Sequence, residues 1–268
     1  MTDTITTLRL GYGGLAEVAG NPVLVTSGSF ENSVTPAYTS GYLMPNDTTS
    51  RSRILHSDGT VTHSGNVGFD LTDDGLSAVK GLMKRNERFT VKLCDGEYGK
   101  RMTDCAVNSL ALSGNPSGYM TASIAFSSVN PPTDVSASSM NRRDSFISST
   151  IPYWWSGNSY VRDWNISFSQ TVSPRFGNKN VYKMQDDGIL ASSPLYLFVG
   201  EISCTLDFTT FCPLVTDTVY IATTSFKVVG RTSGTGYTIG GLEDLPAYKY
   251  SIVSHAVGYN NNNMLTIG

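Results

Sequence analysis

The chain contains little charge and few of the side chains that bind metals or act as catalytic bases. Asp, Glu, Lys and Arg make up 15% of its 268 residues, and the formal net charge is −3 with a pI near 5.6. Proteins that hold nucleic acid by its phosphates rely on clustered Lys and Arg, so this balance argues against that class. His56 falls in a polar stretch and His63 and His255 fall in strand candidates, but none belongs to a ligand or nucleophile motif. We therefore expect no catalytic residues, no metal site and no cofactor, and we expect the protein not to be an enzyme.

Cysteine is also sparse. The four cysteines, Cys94, Cys105, Cys204 and Cys212, include no C-x-x-C pair, so the spacing of a zinc site or a redox motif is absent. We expect them to be small buried hydrophobic residues, and a bridge between Cys94 and Cys105 across a hairpin remains open.

Long apolar runs and a leader pattern are lacking as well. Residues 1–14 have neither the basic start nor the apolar run of a secretory signal, and no apolar run reaches membrane-spanning length. We therefore expect synthesis in the cytoplasm and no association with a membrane.

Alternating apolar and polar residues are the main structural signal that is present. Leu110 and Leu112, like Ile124 and Phe126, recur with a period of two, which is typical of half-buried strands. The strand candidates are residues 21–34, 60–72, 88–94, 105–114, 118–129, 218–230 and 247–260. The pattern predicts a mainly β fold.

Residues 72–88 depart from this alternation and predict a short amphipathic helix. Thr72 suits the N-cap, and the carboxylates of Asp73 and Asp74 suit the positive end of the helix dipole. The apolar residues that recur at helical spacing are Leu76, Val79, Leu82 and Met83. A carboxylate dyad is the alternative for the acidic pair, but the position at the helix start explains the pair without one.

Glycine-rich stretches and scattered carboxylates give only weak signals of chemistry. Residues 11–20 do not match a phosphate-binding loop, and residues 230–241 predict a flexible hairpin tip. The carboxylates that an acid–base pair for glycoside hydrolysis would need are Asp95, Glu97, Glu243 and Asp244. Their spacing does not select that function, so we read them as surface residues.

Two decapeptides are similar enough to indicate an internal sequence repeat. SFENSVTPAY at residues 29–38 and SFSQTVSPRF at residues 167–176 share Ser, Phe, Val and Pro at the same positions. Further matches follow in the same order: GYLM with VYKM (41–44 and 181–184) and FDLT with LDFT (69–72 and 206–209). The collinear order predicts two halves that each run strand, Pro-containing turn, long loop, strand, helix and further strands. The helix of the second half is expected near residues 210–214.

The repeat sets the expected domain boundaries. We predict a first domain with an N-terminal arm over residues 1–135, a linker over residues 136–160 and a second domain over residues 161–268. The Ser/Pro-rich part of residues 129–160 has no sustained period, which is typical of a linker or an extended arm. The aromatic cluster beside it consists of Tyr153, Trp154, Trp155 and Trp164. These aromatic residues either fill the gap between the two domains or pack against another subunit.

This order of elements resembles the tail tube (major tail) proteins of long-tailed bacteriophages, once over residues 21–131 and again over residues 162–267. The resemblance implies two tandem β-sandwich or half-barrel domains, each with one short helix, that assemble edge to edge into a ring. It implies a structural virion protein whose trimeric, pseudo-hexameric rings stack into a hollow tube for DNA passage. A modestly acidic chain suits such a conduit, because a lumen that repels phosphates lets DNA slide.

The resemblance also implies partners and an interface. The partners are further copies of the chain, the tape-measure protein, the tail terminator and tail-tip proteins, within a virion tail assembled in the cytoplasm of the bacterial host. Two long loops, residues 45–59 and 177–194, lie where the family reaches the next ring. The expected self-assembly residues are Leu43, Met44, Pro45, Ile54, Leu55, Trp154 and Trp155. Deletion of residues 47–53 is expected to leave a folded protein that cannot polymerise.

Two other functions remain open at this point. A tail-tip hub or tube-initiating protein of the same machine would form a single ring and no filament. A β-rich carbohydrate- or receptor-binding module would use Trp154, Trp155 and Tyr160 as a stacking platform.

Overall fold

The structure is a computed structural model that describes residues 14–41, 53–82, 86–95, 98–114, 120–136, 155–156, 161–183, 190–210, 218–221, 224–236 and 247–254. In these ranges the chain forms thirteen β-strands and one α-helix. The mainly β fold class expected from the alternation of residues is therefore confirmed.

The elements follow one another in two runs. The first run is β1 (Leu15–Val18), β2 (Asn21–Gly41), β3 (Arg53–Asp70), α1 (Asp73–Leu82), β4 (Arg88–Cys94), β5 (Tyr98–Gly114), β6 (Thr121–Ser128) and β7 (Thr133–Ser136). The second run is β8 (Trp155–Ser156), β9 (Val161–Lys183), β10 (Leu190–Thr210), β11 (Thr218–Ile221), β12 (Thr224–Gly236) and β13 (Ala247–Ser254).

All thirteen strands belong to one sheet, and its pairing order is the same in both runs. In the first run the order is β2-β3-β6-β5-β4, and in the second it is β9-β10-β13-β12-β11, with every pair antiparallel. In the first run β1 also pairs with both β2 and β4, which closes a circuit of six strands. One short parallel contact, between β3 and β10, makes the sheet mixed.

The two similar decapeptides occupy equivalent strands. Residues 29–38 lie in β2 and residues 167–176 lie in β9, and each strand is the first of a long antiparallel hairpin. Phe30 and Phe168, the shared phenylalanines, are both buried. The shared prolines, Pro36 and Pro174, lie further along the same two strands.

The turns predicted at these prolines are wrong, because both strands continue past them. Pro36 falls at a register shift between Thr35 and Ala37, where the ladder to β3 is interrupted and a missing N–H costs no hydrogen bond. Pro174 lies beyond Ser169, the last residue of β9 that pairs with β5, so at this point β10 is the only strand in the described ranges that pairs with β9. A proline is tolerated on such an edge.

The long loops are correspondingly shorter than predicted. β3 begins at Arg53, so residues 53–59 of the loop predicted over residues 45–59 are strand. His56, for example, lies opposite Tyr38 of β2. β9 and β10 likewise occupy the described ends of the predicted loop over residues 177–194. Both segments are arms of hairpins, because cross-strand pairing extends well beyond the alternating sequence that predicted the strands.

Two further expectations need correction. Residues 218–230 form two strands, β11 and β12, and β12 runs through most of the glycine-rich stretch that was predicted to be a hairpin tip. The glycine-rich N-terminal stretch contains β1, which pairs with β2 and β4. In each case strand partners distant in sequence stabilise a segment whose own composition favours a turn or coil.

The helix is found where it was predicted. Thr72 Oγ1 accepts a hydrogen bond from the backbone N–H of Gly75 at 3.1 Å, which confirms the N-cap. Asp73 and Asp74 lie in the first turn, and the side chains of Val79 and Leu82 are buried. The second helix predicted near residues 210–214 lies outside the described residues apart from Thr210, which ends β10.

One continuous hydrophobic core joins elements of both runs. Phe126 makes edge-to-face contacts with Phe30 and Phe89, with ring centroids 6.1 and 5.7 Å apart. The largest fully buried side chains are Phe69, Phe126, Phe168, Leu71, Leu82, Leu93, Met102, Leu110, Leu112 and Met120. Because Phe168 belongs to β9 and packs in the same cluster as β1–β6, the two halves share a core.

The described cysteines are part of this interior. Cys94, Cys105 and Cys204 are buried thiols, as predicted. The bridge between Cys94 and Cys105 does not form, because the hairpin register places Cys94 opposite Gly99 and Cys105 opposite Phe89. Cys212 lies outside the described residues.

Candidate assembly surface

The two halves of the chain are joined edge to edge. Residues 109–114 of β5 pair antiparallel with residues 164–169 of β9, so one sheet continues from the first half into the second. Just past this ladder Gln170 Nε2 donates a hydrogen bond of 2.6 Å to the carbonyl oxygen of Val107, and both residues are buried. Backbone pairing gives the junction its affinity, and the buried amide fixes its register.

A tryptophan against a glycine forms one end of this ladder. Trp164 pairs with Gly114, and only 3% of its surface is exposed. A Cβ atom added to Gly114 would lie 2.7 Å from three atoms of the Trp164 indole ring. The indole therefore occupies the space that any other side chain at residue 114 would take. Of the predicted aromatic cluster, Trp164 does lie between the two halves.

A second contact between the halves lies along the β9–β10 hairpin. Ala191 and Ser192 of β10 pair in parallel with Gly59 and Thr60 of β3. Arg88 at the start of β4 donates a hydrogen bond from Nη2 to the carbonyl oxygen of Leu197 at 3.0 Å. The hairpin is thus held to the first half at two points of its length.

A crevice of ≈ 220 Å³ lies where this hairpin crosses the end of β6. Its walls are Thr62, His63, Ser64, Ser127, Ser128, Pro174, Pro194 and Leu197. His63 Nδ1 donates a hydrogen bond to Asn32 Oδ1 at 2.8 Å, and burial lowers the pKa of His63 to about 4. The imidazole is therefore neutral at pH 7 and offers no charge to an anion.

Two strand edges that correspond to this junction have one partner each in the described part of the chain. Residues 164–169 of β9 correspond in the sequence repeat to residues 26–31 of β2, which pair with β3 alone. β12 is the counterpart of β5 in the pairing order, and its residues 228–236 pair with β13 alone. The chain therefore presents one edge of each kind that it uses internally.

The β9–β10 hairpin also carries an exposed apolar patch, which consists of Phe176, Leu195, Tyr196 and Phe198. Each of these side chains is more than a third exposed. The guanidinium of Arg175 lies over the ring of Phe198, 5.4 Å from the ring centroid. Several large exposed apolar side chains on one part of a hairpin are typical of interaction surfaces.

The interface residues predicted from sequence are only partly described, and those that are described do not come together. Ile54 and Leu55 lie in β3, opposite Ser40 and Thr39 of β2. Trp155 lies in β8, at the far end of the strand order, opposite Ile221. Leu43, Met44, Pro45 and Trp154, like Tyr160 of the alternative stacking platform, lie outside the described residues.

Residues of the actual junction were missed by sequence reasoning. Gly114, Gln170 and Arg88 act through partners at least fifty residues away in the chain, so no local pattern identifies them. The one local signal is Gly114 itself, a glycine that ends an alternating strand segment and so marks a close approach of another element.

Neither metal ligands nor a membrane span is found in the ranges given above. Among these residues no group of three or more His, Cys, Asp or Glu side chains is placed to hold a metal ion. No helix among them is long and apolar enough to cross a membrane. Of the weighed carboxylates, Asp95 accepts a hydrogen bond from the backbone N–H of Tyr98 at 2.8 Å and so stabilises a turn.

Comparison with known proteins gives no family. The chain matches no protein-family model and no curated protein sequence.

Proposed function

We propose that the protein is a structural subunit of a bacteriophage tail tube, in which three copies form a pseudo-hexameric ring and rings stack into a hollow tube for DNA passage. Its two halves are tandem tube domains, and its partners are other copies of itself together with tape-measure, terminator and tail-tip proteins. The proposal is supported by the order of strands, by the junction between the halves and by the resemblance of the sequence.

The repeated pairing order is the first support. Strand orders β2-β3-β6-β5-β4 and β9-β10-β13-β12-β11 coincide element by element, and the repeated decapeptides lie in the corresponding strands β2 and β9. Chance does not readily explain why five strands share a pairing order and why similar decapeptides lie in corresponding strands. Duplication of one domain explains both observations.

The junction of β5 with β9 is the observation that carries the proposal. It is a heterologous contact, because the edge of β5 in the first half meets a different edge in the second half. The second half offers the edge of β12 that corresponds to β5, and the first half offers the edge of β2 that corresponds to β9. The same contact can therefore recur from chain to chain, and such contacts form a ring when the rotation closes.

Closure also removes a hazard of the isolated chain. Residues 24–41 of β2 form a long ladder with β3 and have a second edge without a described partner. Long open edges template aggregation unless they are covered, and a closed ring covers them. Eight strands lie side by side across the sheet of each chain, in the order β2-β3-β6-β5-β9-β10-β13-β12. At about 4.8 Å between strands, three chains would give a circumference of about 115 Å and a diameter of about 37 Å.

Contacts between rings are assigned to the two long hairpins. Leu43, Met44 and Pro45 follow β2 in the sequence, and the β9–β10 hairpin carries the exposed apolar patch defined above. Deletion of residues 47–53 is expected to leave a folded protein that forms no tubes. Normal tubes from that variant would refute this assignment.

Electron microscopy of the purified protein tests the function. Hollow tubes or stacked rings with threefold and pseudo-sixfold end views are expected. Single rings that never stack would instead indicate a tail-tip hub or tube-initiating protein of the same machine. Dispersed monomers at every salt concentration would refute both assignments and favour a binding module.

A single substitution separates edge pairing from other modes of assembly. Thr26 is exposed and falls at a register shift between Val25 and Ser27, so it has no partner residue in the ladder with β3. Thr26→Pro therefore removes a backbone N–H from β2 and leaves the paired residues of that ladder unchanged. We expect Thr26→Pro to impair ring formation while circular dichroism shows a folded chain, and Thr26→Ala to assemble normally. Equal assembly of the two variants would exclude this edge from the ring contact.

A further inference from the structure

One face of the sheet that joins the two halves carries only small, uncharged side chains over six strands. A cross-strand row runs through Ser27, Gly68, Ser123, Ala111, Ser167 and Thr205. The neighbouring row runs from Ser29 to Ser203 and contains four serines, Asn66 and Ala125. We name these two rows the serine face.

The serine face is open to solvent, whereas the opposite face of the same strands is the core. None of its residues is buried. Their neighbours along the strands, such as Leu110, Ile124 and Phe168, are 0–1% exposed. Strand periodicity therefore separates a packed side from a bare side, and the bare side extends without interruption across the junction of β5 with β9.

The charges that border the serine face are acidic, with the exception of Arg88. The row on one side begins with Leu24, continues with Asp70 and ends with Asp207. The row on the other side begins with Glu31 and passes through Ser64 and Ser127 to Ala106. One cation, Arg88 of β4, lies opposite Ala106 at the end of the second bordering row, and its Nη2 donates a hydrogen bond to the carbonyl oxygen of Leu197. Lys92, Lys100 and Arg101, by contrast, lie on β4 and the first part of β5, away from the six-strand rows.

We propose that the serine face lines the lumen of the assembled tube and that its lack of cations lets a nucleic acid pass without being retained. The inference rests on the proposed function and adds to it the identity of the inner surface. In a ring built by repeating the β5–β9 contact, this face continues from one chain to the next. It is the only described surface that is both uninterrupted over six strands and free of large side chains.

The chemistry of the face explains why it would not retain DNA. Affinity for DNA comes mainly from Lys and Arg that displace counterions from phosphates, and the serine face displaces none. Hydroxyl groups can donate to phosphate oxygens, but these neutral hydrogen bonds exchange with water at little net gain. Some hydroxyls are also engaged with each other, since Ser113 and Thr121 in a bordering row lie 2.8 Å apart between oxygens. The acidic border adds repulsion.

Cysteine labelling of tubes tests the location of the face. Ser123→Cys places a thiol near its centre, and Thr133→Cys places one on the exposed strand β7. Each variant is treated with N-ethylmaleimide, which is small enough to diffuse along a lumen, and with a polyethylene-glycol maleimide too large to enter. The parent chain, whose Cys94, Cys105 and Cys204 are buried, supplies the background.

Each result decides the inference. Ser123→Cys should react with the small reagent in tubes and at least tenfold less with the large one, while both label the same variant before assembly. Reaction with both reagents in tubes would place the face on the outside, and reaction with neither would place it in a subunit contact. Either result overturns the assignment of the lumen while the tubes themselves uphold the proposed function. Absence of tubes would overturn both.

A charge-gain variant tests the chemical argument. Ser123→Lys combined with Ser167→Lys should make tubes retain double-stranded DNA fragments in sedimentation. Each phosphate contact formed by a lysine should weaken about 3.5-fold between 50 and 200 mM salt, so retention by the several lysines of a ring should fall steeply over this range. Parent tubes should retain no more DNA than a blank. Retention by parent tubes, or no retention by the lysine variant, would show that cation content does not control passage.

Discussion

Replacement of Gly114 by alanine is the most direct perturbation of the junction between the halves. The added Cβ would lie 2.7 Å from three atoms of the Trp164 ring, closer than real Cβ atoms approach other heavy atoms. The ring cannot move freely, because Trp164 is buried and its backbone is paired on both sides, with β5 and with β10. One of the two strands must therefore shift.

The magnitude follows from two opposing terms. Glycine to alanine in a strand interior is normally favourable by about 0.5–1 kcal/mol, because the unfolded chain loses freedom. Overpacking of a dense core costs about 1–3 kcal/mol. We therefore expect Gly114→Ala to lower the free energy of unfolding by about 1–2 kcal/mol.

Urea unfolding followed by circular dichroism measures this change, and a second glycine supplies the control. Gly81 lies in α1 with no atom within 4 Å of an added Cβ, so Gly81→Ala should stabilise the protein by about 0.5–1 kcal/mol. Trp164→Leu in a double-mutant cycle should remove most of the cost of Gly114→Ala. A neutral or stabilising Gly114→Ala, or additive effects of the two substitutions, would refute the packing of Trp164 on Gly114.

Three further outcomes are expected. Folding lowers the pKa of His63 from 6.5 to about 4 by burial, so the folded state favours the neutral ring. Stability should therefore fall as the pH drops from about 6.5 towards 4, by up to about 3 kcal/mol, and His63→Gln should lose that component in urea titrations compared across this range. Lys92 Nζ lies 2.8 Å from Glu17 Oε1 across the β1–β4 ladder, so Lys92→Ala should cost about 0.5–1 kcal/mol, and salt should weaken the wild-type protein but not the variant. Burial raises the pKa of Cys105 and Cys204 to about 12, so mass spectrometry should find both unmodified by iodoacetamide at pH 8 until urea is added; rapid modification in the folded protein would contradict their burial.

Local signals predicted local structure well. β4 was predicted over residues 88–94 and has those bounds, because Phe89, Val91 and Leu93 alternate with polar residues and are buried. Thr72 was predicted as the cap of α1 and accepts the Gly75 N–H. Both features depend on residues within a few positions of each other, where propensity and periodicity act.

Predictions of turns from proline and glycine were wrong where strands are stabilised by partners distant in the sequence. Proline predicted turns at Pro36 and Pro174, yet both strands continue because an interrupted ladder or an open edge tolerates a missing N–H. Glycine predicted a mobile tip at residues 230–241, yet β12 continues to Gly236 because β13 pairs with it. A composition typical of turns thus gave the wrong element wherever a neighbouring strand supplied the hydrogen bonds.

The sequence by itself determined the mainly β class, the position of α1 and the repeat of residues 29–38 in residues 167–176. These features depend, respectively, on the alternation of apolar residues, on the helix cap and on residues shared between the two decapeptides. Only the tertiary structure decided that β5 pairs with β9, that Trp164 lies on Gly114 and that small uncharged residues from six strands share one open face. Pairing register aligns residues from far apart in the chain, and a shift of one residue would turn each side chain of a strand to the other face. Such a surface therefore exists only once the strands have been placed beside one another.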